Sequence, residues 1–262
     1  MRIRLDQELV RRHLVRSREE ASSLIESGHV RVNGIVVTKP ARQVLENDSL
    51  IIDEEVSRFA SRGGLKLRGA LDDLPEIVPK GKRVIDAGAS TGGFTDVLLR
   101  SGAKFVYAVD VGYGQLDWRL QQHPQVKILD RRNIKELKLD EIDSRVDLLV
   151  ADLSFISLRS VIPIFNELVE PSGEMLLLVK PQFEIGKERL PKGGVLRDSA
   201  LRAETVRDVA QAAWKNGWGV AGVVASRHPG PSGNVEFFLW LRRDAEELRE
   251  SDLALAIEKG PS

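Results

Sequence analysis

From Lys82 onward the chain alternates apolar runs with amphipathic segments, and nothing else in it constrains the fold so strongly. Strands are predicted near 82–87, 105–110, 126–130, 146–152, 174–180, 218–226 and 235–242, with helices near 91–101, 115–122, 157–169 and 198–216. That order predicts a mostly parallel sheet covered by helices on both faces, in the Rossmann-like manner. The last connection breaks the pattern. Arg227 to Asn234 is eight residues containing Pro229, Gly230, Pro231 and Gly233, too short for a crossover helix. The final two strands must therefore form a hairpin, and the last strand runs antiparallel.

The hairpin gathers charge on one sheet edge. Asp152 closes the run Leu148–Ala151, Lys180 closes Leu176–Val179, and Glu236 opens the strand that ends near 242. Ligands bind at the carboxyl ends of strands in open α/β sheets. Charges at the ends of buried strands are costly unless they pair or act. A helix over about 64–74 precedes the sheet, with Leu67, Ala70, Leu71 and Leu74 at helical spacing. Lys66 lies beside that stripe, and the segment alone predicts a lysine that snorkels to solvent. A terminal helix is expected within 244–259.

Composition excludes several classes. There is no cysteine, which removes disulfide scaffolds, thiolate metal sites and thiol nucleophiles. His13, His29, His123 and His228 are scattered without metal-ligand spacing, so no metal is expected. The longest uncharged stretch, Asn216 to Ser226, is too short to span a bilayer, and the N-terminus lacks a signal-peptide core. A cytoplasmic protein without membrane partners is expected; oligomeric state is not legible. Lys+Arg and Asp+Glu number 39 each, so bulk charge announces no nucleic acid.

The run Asp86-Ala87-Gly88-Ala89-Ser90-Thr91-Gly92-Gly93-Phe94 follows the first strand of the sheet and opens its first helix. Glycines let a ligand approach the backbone, and free helix amides offer donors. The loop lacks both the dinucleotide G-x-G-x-x-G spacing and a Walker lysine. Asp110 ends the second strand, suited to two ribose hydroxyls, and Asp130 ends the third, within reach of an adenine edge. An acidic groove suits S-adenosylmethionine, a sulfonium without a pyrophosphate. Methyltransferases that act on base amino groups often place an Asn/Asp-Pro-Pro-aromatic run after the fourth strand; here Asp152-Leu153-Ser154-Phe155 has no proline pair. A lysine after the next strand points instead to a poorly acidic hydroxyl, such as a sugar 2′-hydroxyl, which needs a base. Burial and the nearby charge of Lys66 favour a neutral Lys180 amine in that role, with Asp152 and Glu236 orienting the lysines. A structural salt-bridge network is the plain alternative.

These residues resemble the FtsJ-like ribose 2′-O-methyltransferases, whose Lys-Asp-Lys-Glu tetrad matches Lys66, Asp152, Lys180 and Glu236. Nearly the whole chain is similar to the TlyA (hemolysin A) family. The matching segments are Ser61–Leu67, Gly88–Asp96, Asp152–Leu158, Val179–Glu184 and Gly233–Phe237. The resemblance implies 2′-O-methylation of cytidine in ribosomal RNA with S-adenosylmethionine as donor; the family commonly has glutamate where this chain has Asp130. In that family, chains with an Arg-x-Arg start and a C-terminal helix tend to modify both ribosomal subunits, and this chain resembles that longer type.

Residues 1–56 read as two short helices followed by small strands, 57–62 as a linker, and 63–262 as the methyltransferase domain. Ser17-Arg18-Glu19-Glu20 is a capping box, Gly28 stops the helix it opens, and Asn33-Gly34 signals a hairpin turn. This module looks like the S-four-type RNA-binding domain, at Ser17-Arg18, Leu24-Ile25 and Gly28–Gly34. Within residues 1–18, Arg2, Arg4, Arg11, Arg12, Arg16 and Arg18 face only Asp6 and Glu8, and a local patch matters more than net charge. Arg2, Arg4, Arg16, Arg18 and Lys39 are the expected RNA contacts. Lys187 joins them from the segment Glu184 to Leu196, which could close over substrate. Rival readings are a ribosome-binding assembly factor without catalysis and a membrane-lytic protein.

Overall fold

The computed structural model describes residues 2–15, 17–26, 28–52, 59–230 and 232–261. Its contacts divide the chain into two compact units, Met1–Phe59 and Ala60–Ser262.

The first unit orders β1 (Arg2–Arg4), α1 (Leu5–Arg11), α2 (Arg18–Glu26), β2 (Val30–Val32), β3 (Ile35–Val36), β4 (Gln43–Leu45) and β5 (Leu50–Ile52). All pairings are antiparallel: β1 with β4, and β2 between β3 and β5. Asn33 and Gly34 both hold positive φ, 51° and 81°, as the tight turn between β2 and β3 demands. Leu5, Leu9, Ala21, Leu24 and Ile25 of the helices are buried, as are Val30 and Val32 of the sheet. The expectation that two helices come first needs correction, because β1 precedes them. Three residues give too short a pattern to read, and their partner Gln43–Leu45 lies far along the chain. Of the residues expected to form a linker, 57 and 58 lie outside the described residues, and Arg62 opens a helix.

The second unit orders α3 (Arg62–Asp73), β6 (Arg83–Ala87), α4 (Gly93–Arg100), β7 (Phe105–Val109), α5 (Trp118–Gln121), β8 (Val126–Leu129), β9 (Val146–Ala151), α6 (Ile162–Leu168), β10 (Val169–Val179), α7 (Pro181–Glu184), α8 (Ser199–Lys215), β11 (Gly219–Ala225), β12 (Phe237–Arg242) and α9 (Glu250–Glu258). They build a seven-stranded sheet in the order β11-β12-β10-β9-β6-β7-β8. The β6, β7, β8, β9 and β10 pairings are parallel, while β12 is antiparallel to both its neighbours. Helix α8 carries the chain across so that β11 runs with β10 but one strand's width away. The short connection then returns β12 into that gap. Val179 pairs with Phe237, so Lys180 and Glu236 stand at one edge of neighbouring strands.

The central strands are apolar on both faces, as strands covered twice must be. Ile85, Leu149, Leu177, Leu239 and Leu241 are buried, with Phe165, Val209 and Trp218 packed in the same cluster. Helix ends differ from the pattern reading where side chains compete for backbone. Asp117 accepts from the Arg119 amide and caps α5 late, leaving four residues of the helix predicted over 115–122. Pro163 sits in the first turn of α6, which starts at Ile162, well inside the predicted 157–169. The terminal helix starts at Glu250.

Two glycines set how closely the site-bearing elements approach. Gly88 holds φ +86°, and a side chain there would lie 2.5 Å from the Asp152 carbonyl oxygen. A side chain at Gly93 would collide with Ser61 Oγ and lie 2.6 Å from the Gly64 nitrogen, so the start of α4 seats directly on the start of α3. Gly93→Ala should therefore lower unfolding free energy by about 1–3 kcal/mol through forced separation of the two helices. Denaturant melts of the variant against wild type measure it, and equal midpoints would reject the close contact.

Candidate active site

Lys66 is 6 % exposed, against the expectation of a snorkelling lysine. It rides the second turn of α3, and its Nζ donates to Glu236 Oε2 at 2.6 Å. Its partner lies 170 positions later in the chain, so helical periodicity had no means to reveal the burial. Glu236 is 1 % exposed, and a carboxylate so deeply buried is costly without such a cation beside it.

The second pair forms on the adjacent strand ends. Lys180 Nζ stands 2.6 Å from Asp152 Oδ1, and it donates a well-directed hydrogen bond to Ser154 Oγ at 2.9 Å. Asp152 Oδ1 itself has no aligned donor, so that contact is an ion pair of charge against charge. The two pairs meet through α3. Gly63, one turn before Lys66, faces Asp152 Oδ2, which lies 3.9 Å from where its side chain would begin. The three charges expected at strand ends, and Lys66, which entered the set by resemblance alone, are thus gathered as two ion pairs at one sheet edge.

The glycine-rich loop lies beside them. Ser90 is exposed and takes a left-handed φ of 48°; its amide donates to Asp110 Oδ2 at 2.9 Å. The Gly112 amide donates to Asp110 Oδ1 at 2.6 Å, and the Gly114 amide to Asp130 Oδ2 at 2.8 Å. Gly88, Thr91, Asp110 and Asp130 are half-buried, each with surface facing outward. Three other residues of the run expected to serve the cofactor are buried. Gly92 is buried, and Phe94 is stacked on Phe238 with ring centroids 6.1 Å apart. Asp86 has no exposed surface; its Oδ2 accepts from Thr95 Oγ1 at 2.6 Å, and Oδ1 has no hydrogen-bond partner among the described residues.

Burial, aided by the negative charges of Asp152 and Asp110, pushes the Asp86 carboxyl up to about 7, against the pull of its Thr95 hydrogen bond. Between the ordinary carboxylate range and that value the folded protein keeps a proton that the unfolded chain releases. Stability is therefore greatest at the acid end of this window and falls as pH rises, the loss being complete above about 7. Asp86→Asn removes the titration. The variant should gain on wild type by about 2–3 kcal/mol in unfolding free energy between pH 5 and pH 8. Urea melts of both proteins at the two pH values test this, and a constant difference would show Asp86 ionising normally.

The structure also adds residues that the pattern did not single out. Ser154 is the hydrogen-bond partner of Lys180. Phe155 is 91 % exposed at φ 63°, its ring 5.0 Å from that of Phe183. A left-handed phenylalanine has no signature in sequence.

The expected RNA contacts all belong to the first unit except Lys187. Arg4 grips Asp6 with two hydrogen bonds, at 3.0 and 2.8 Å, and Arg18 reaches the same carboxylate at 3.0 Å. These guanidinium groups hold the Asp6 carboxyl down to about 2, against its burial. Arg2 is exposed, and exposed Lys39 lines an open groove with Val36, Thr38 and Arg42. Arg16 lies outside the described residues. Lys187 is exposed after α7. Among the described residues no helix is long and apolar enough to cross a membrane, and no group of three or more acidic or histidine side chains is placed to hold a metal ion.

Comparison with known proteins gives this geometry a family. The FtsJ-like methyltransferase model matches residues 59–243, and the S4 domain model matches residues 3–50. The chain is 48% identical to a protein of Mycobacterium tuberculosis named 16S/23S rRNA (cytidine-2'-O)-methyltransferase TlyA, over 99% of both chains. It is 32% identical to a 23S rRNA (cytidine-2'-O)-methyltransferase TlyA of Campylobacter jejuni, over 86% of this chain and 93% of the other. A solved structure from Streptococcus thermophilus that carries the hemolysin name is 33% identical, with a TM-score of 0.78 over 98% of this chain and 96% of that one. The matches to both family models and the full-length similarity place the chain in the TlyA group of the FtsJ-like methyltransferase family.

Proposed function

We propose that this methyltransferase modifies the ribose 2′-hydroxyl of cytidine in the RNA of both ribosomal subunits, with S-adenosylmethionine as methyl donor. The observation that carries the reading is the pairing of two nearly buried lysines with two carboxylates beside a glycine-rich loop. A hydroxyl nucleophile needs a base and a field that favours its anion, and this edge offers an amine and a second fixed cation.

The cofactor fits the residues present. The half-buried carboxylates of Asp110 and Asp130 suit the hydroxyls and amino group of an adenosine, and Gly88, Ser90 and Thr91 offer backbone to its amino-acid end. The loop Gly88–Phe94 holds no lysine or arginine for a pyrophosphate. Sheet order sets Asp152, the glycine loop, Asp110 and Asp130 along consecutive strand ends, spanning roughly 14 Å at the usual strand spacing. When bound, S-adenosylmethionine supplies the electrophilic methyl group.

The protein's own part is to orient the ribose and move one proton. Lys180 acts in its neutral form: its ammonium first gives a proton to solvent, the free amine then takes the proton of the 2′-hydroxyl as the oxygen attacks, and Asp152 balances the ammonium that results. Ser154 fixes the direction of the amine. Lys66, held by Glu236, presents a charge that stabilises the developing alkoxide. Residues 1–56 act as the RNA-binding domain, 57–62 as the linker and 63–262 as the catalytic domain. Arg2, Arg4, Arg16, Arg18 and Lys39 serve phosphates, as does Lys187 beside the active site. Whole-length similarity to a relative named for both subunits supports the wider substrate range. A protein that acts on ribosomal RNA would do so in the cytoplasm.

Lys180→Ala should lower methyl transfer to ribosomal RNA by at least about a hundred-fold, the usual yield of a positioned base. Its affinity for S-adenosylmethionine should stay within about two-fold, since the amine acts on the acceptor. Labelled-methyl transfer and calorimetric binding measure the two, and wild-type transfer would remove Lys180 from the chemistry. Mapping 2′-O-methyl sites in both subunits, in cells with and without the gene, tests the substrate.

A further inference from the structure

Two segments leave the sheet side by side: residues 152–160 after β9 and residues 180–185 after β10. They are tied at three levels. Nearest the sheet, Lys180 meets Asp152 and Ser154. Beyond that, the rings of Phe155 and Phe183 lie 5.0 Å apart. Farthest out is Glu184, 3 % exposed, which the chemistry proposed above does not use. Its Oε2 accepts from Ser157 Oγ at 2.5 Å and its Oε1 from the Leu158 amide at 2.7 Å. Arg159 closes the knot: it donates to the Glu184 carbonyl at 2.7 Å, and its Nε lies 3.4 Å from Oε2.

A buried carboxylate is an expensive way to join two loops. Burial raises the Glu184 carboxyl above its ordinary range even against three favourable partners. An apolar side chain of similar size would fill the space without that cost. What the anion adds is direction, because two donors on the opposing segment must point at two particular oxygens. The tie bounds a strained stretch, since Phe155 holds a left-handed φ of 63°. Such a conformation persists only where its surroundings over-determine it.

We propose that Glu184 is a positioning residue for methyl transfer, holding the segment that carries Asp152, Ser154 and Phe155 in register against Lys180. This rests on the function proposed above. Glu184 touches no reacting atom; it sets where the partners of the base stand.

Full-length Glu184→Gln keeps the size of the side chain but turns one acceptor into a donor that faces Ser157 and Leu158. Its kcat on ribosomal RNA should fall about ten- to a hundred-fold, the scale of a small misplacement at a reacting centre. KM for RNA, S-adenosylmethionine affinity and the thermal midpoint should stay near wild type. Ser157→Ala removes one donor from the other side and should lose less. The double variant should be no worse than Glu184→Gln alone, because both break one tie. Hydrogen exchange should show lost protection confined to residues 153–160. Wild-type kcat in Glu184→Gln, or additive losses in the double variant, would overturn the role. A parallel fall of kcat, cofactor affinity and stability would do the same, marking a general structural part. Wild-type protein inactive on ribosomal RNA would instead defeat the function reading, and exchange, read without substrate, would still report whether the tie exists.

Discussion

A carboxylate as buried as Glu236 has to be met by a cation, and the one that meets it arrives on a helix laid down before the sheet begins. The Lys66–Glu236 contact therefore joins α3 to β12, the first helix of the unit to its last strand. Glu236 leads into β12, which lies between β10 and β11. The pair thus ties completion of the sheet to assembly of the site. Breaking it from either side would leave a charge stranded in low dielectric, a loss of about 3–5 kcal/mol. The Lys180–Asp152 pair is less enclosed and depends on that frame, because Gly63 of the same helix lies against Asp152.

The same edge holds charge that opposes folding. Asp86 sits under the glycine loop with one oxygen unpaired, near the negative charges of Asp152 and Asp110. Its useful bond is to Thr95, which fixes the first turn of α4 and so the loop that precedes it. Ser90 and Phe155 add left-handed backbone on the two loops that flank the edge. Strain and unfavourable charge concentrated at one end of a sheet are what a preorganised site costs the fold that carries it. The other end and the flanks compensate with apolar packing around Phe165, Trp218 and Leu239.

How much of this was legible in sequence follows from how local each cause is. The alternation of strands and helices is local, and so is the short Arg227–Asn234 connection. Together they were enough to orient the last strand and bring Glu236 to the edge of Asp152 and Lys180. Lys66 was legible only by resemblance, since its burial depends on a partner 170 positions away. Asp86 and Phe94 read as loop residues because pattern does not distinguish the face above a loop from the core below it. The register of β1 with β4 and the φ of Phe155 are set by tertiary contacts that no short window contains.

The first unit shows why counting charges misleads in the opposite direction. Six arginines stand among residues 1–18, a patch that looks ready for phosphate. Yet Arg4 and Arg18 share Asp6, while Arg11 and Arg12 both bind the buried Glu8. These carboxylates hold guanidinium groups in fixed directions and lower the net field they project. A phosphate reaching Arg4 or Arg18 competes with an anion already in place, so these two favour a backbone whose oxygens match their preset geometry over loose polyanion binding. Selectivity of that kind suits an enzyme that must find a folded RNA surface amid a large excess of ordinary phosphate. On the function proposed above, Arg2 and Lys39, exposed on the same unit, would supply the longer-range attraction that the paired arginines give up.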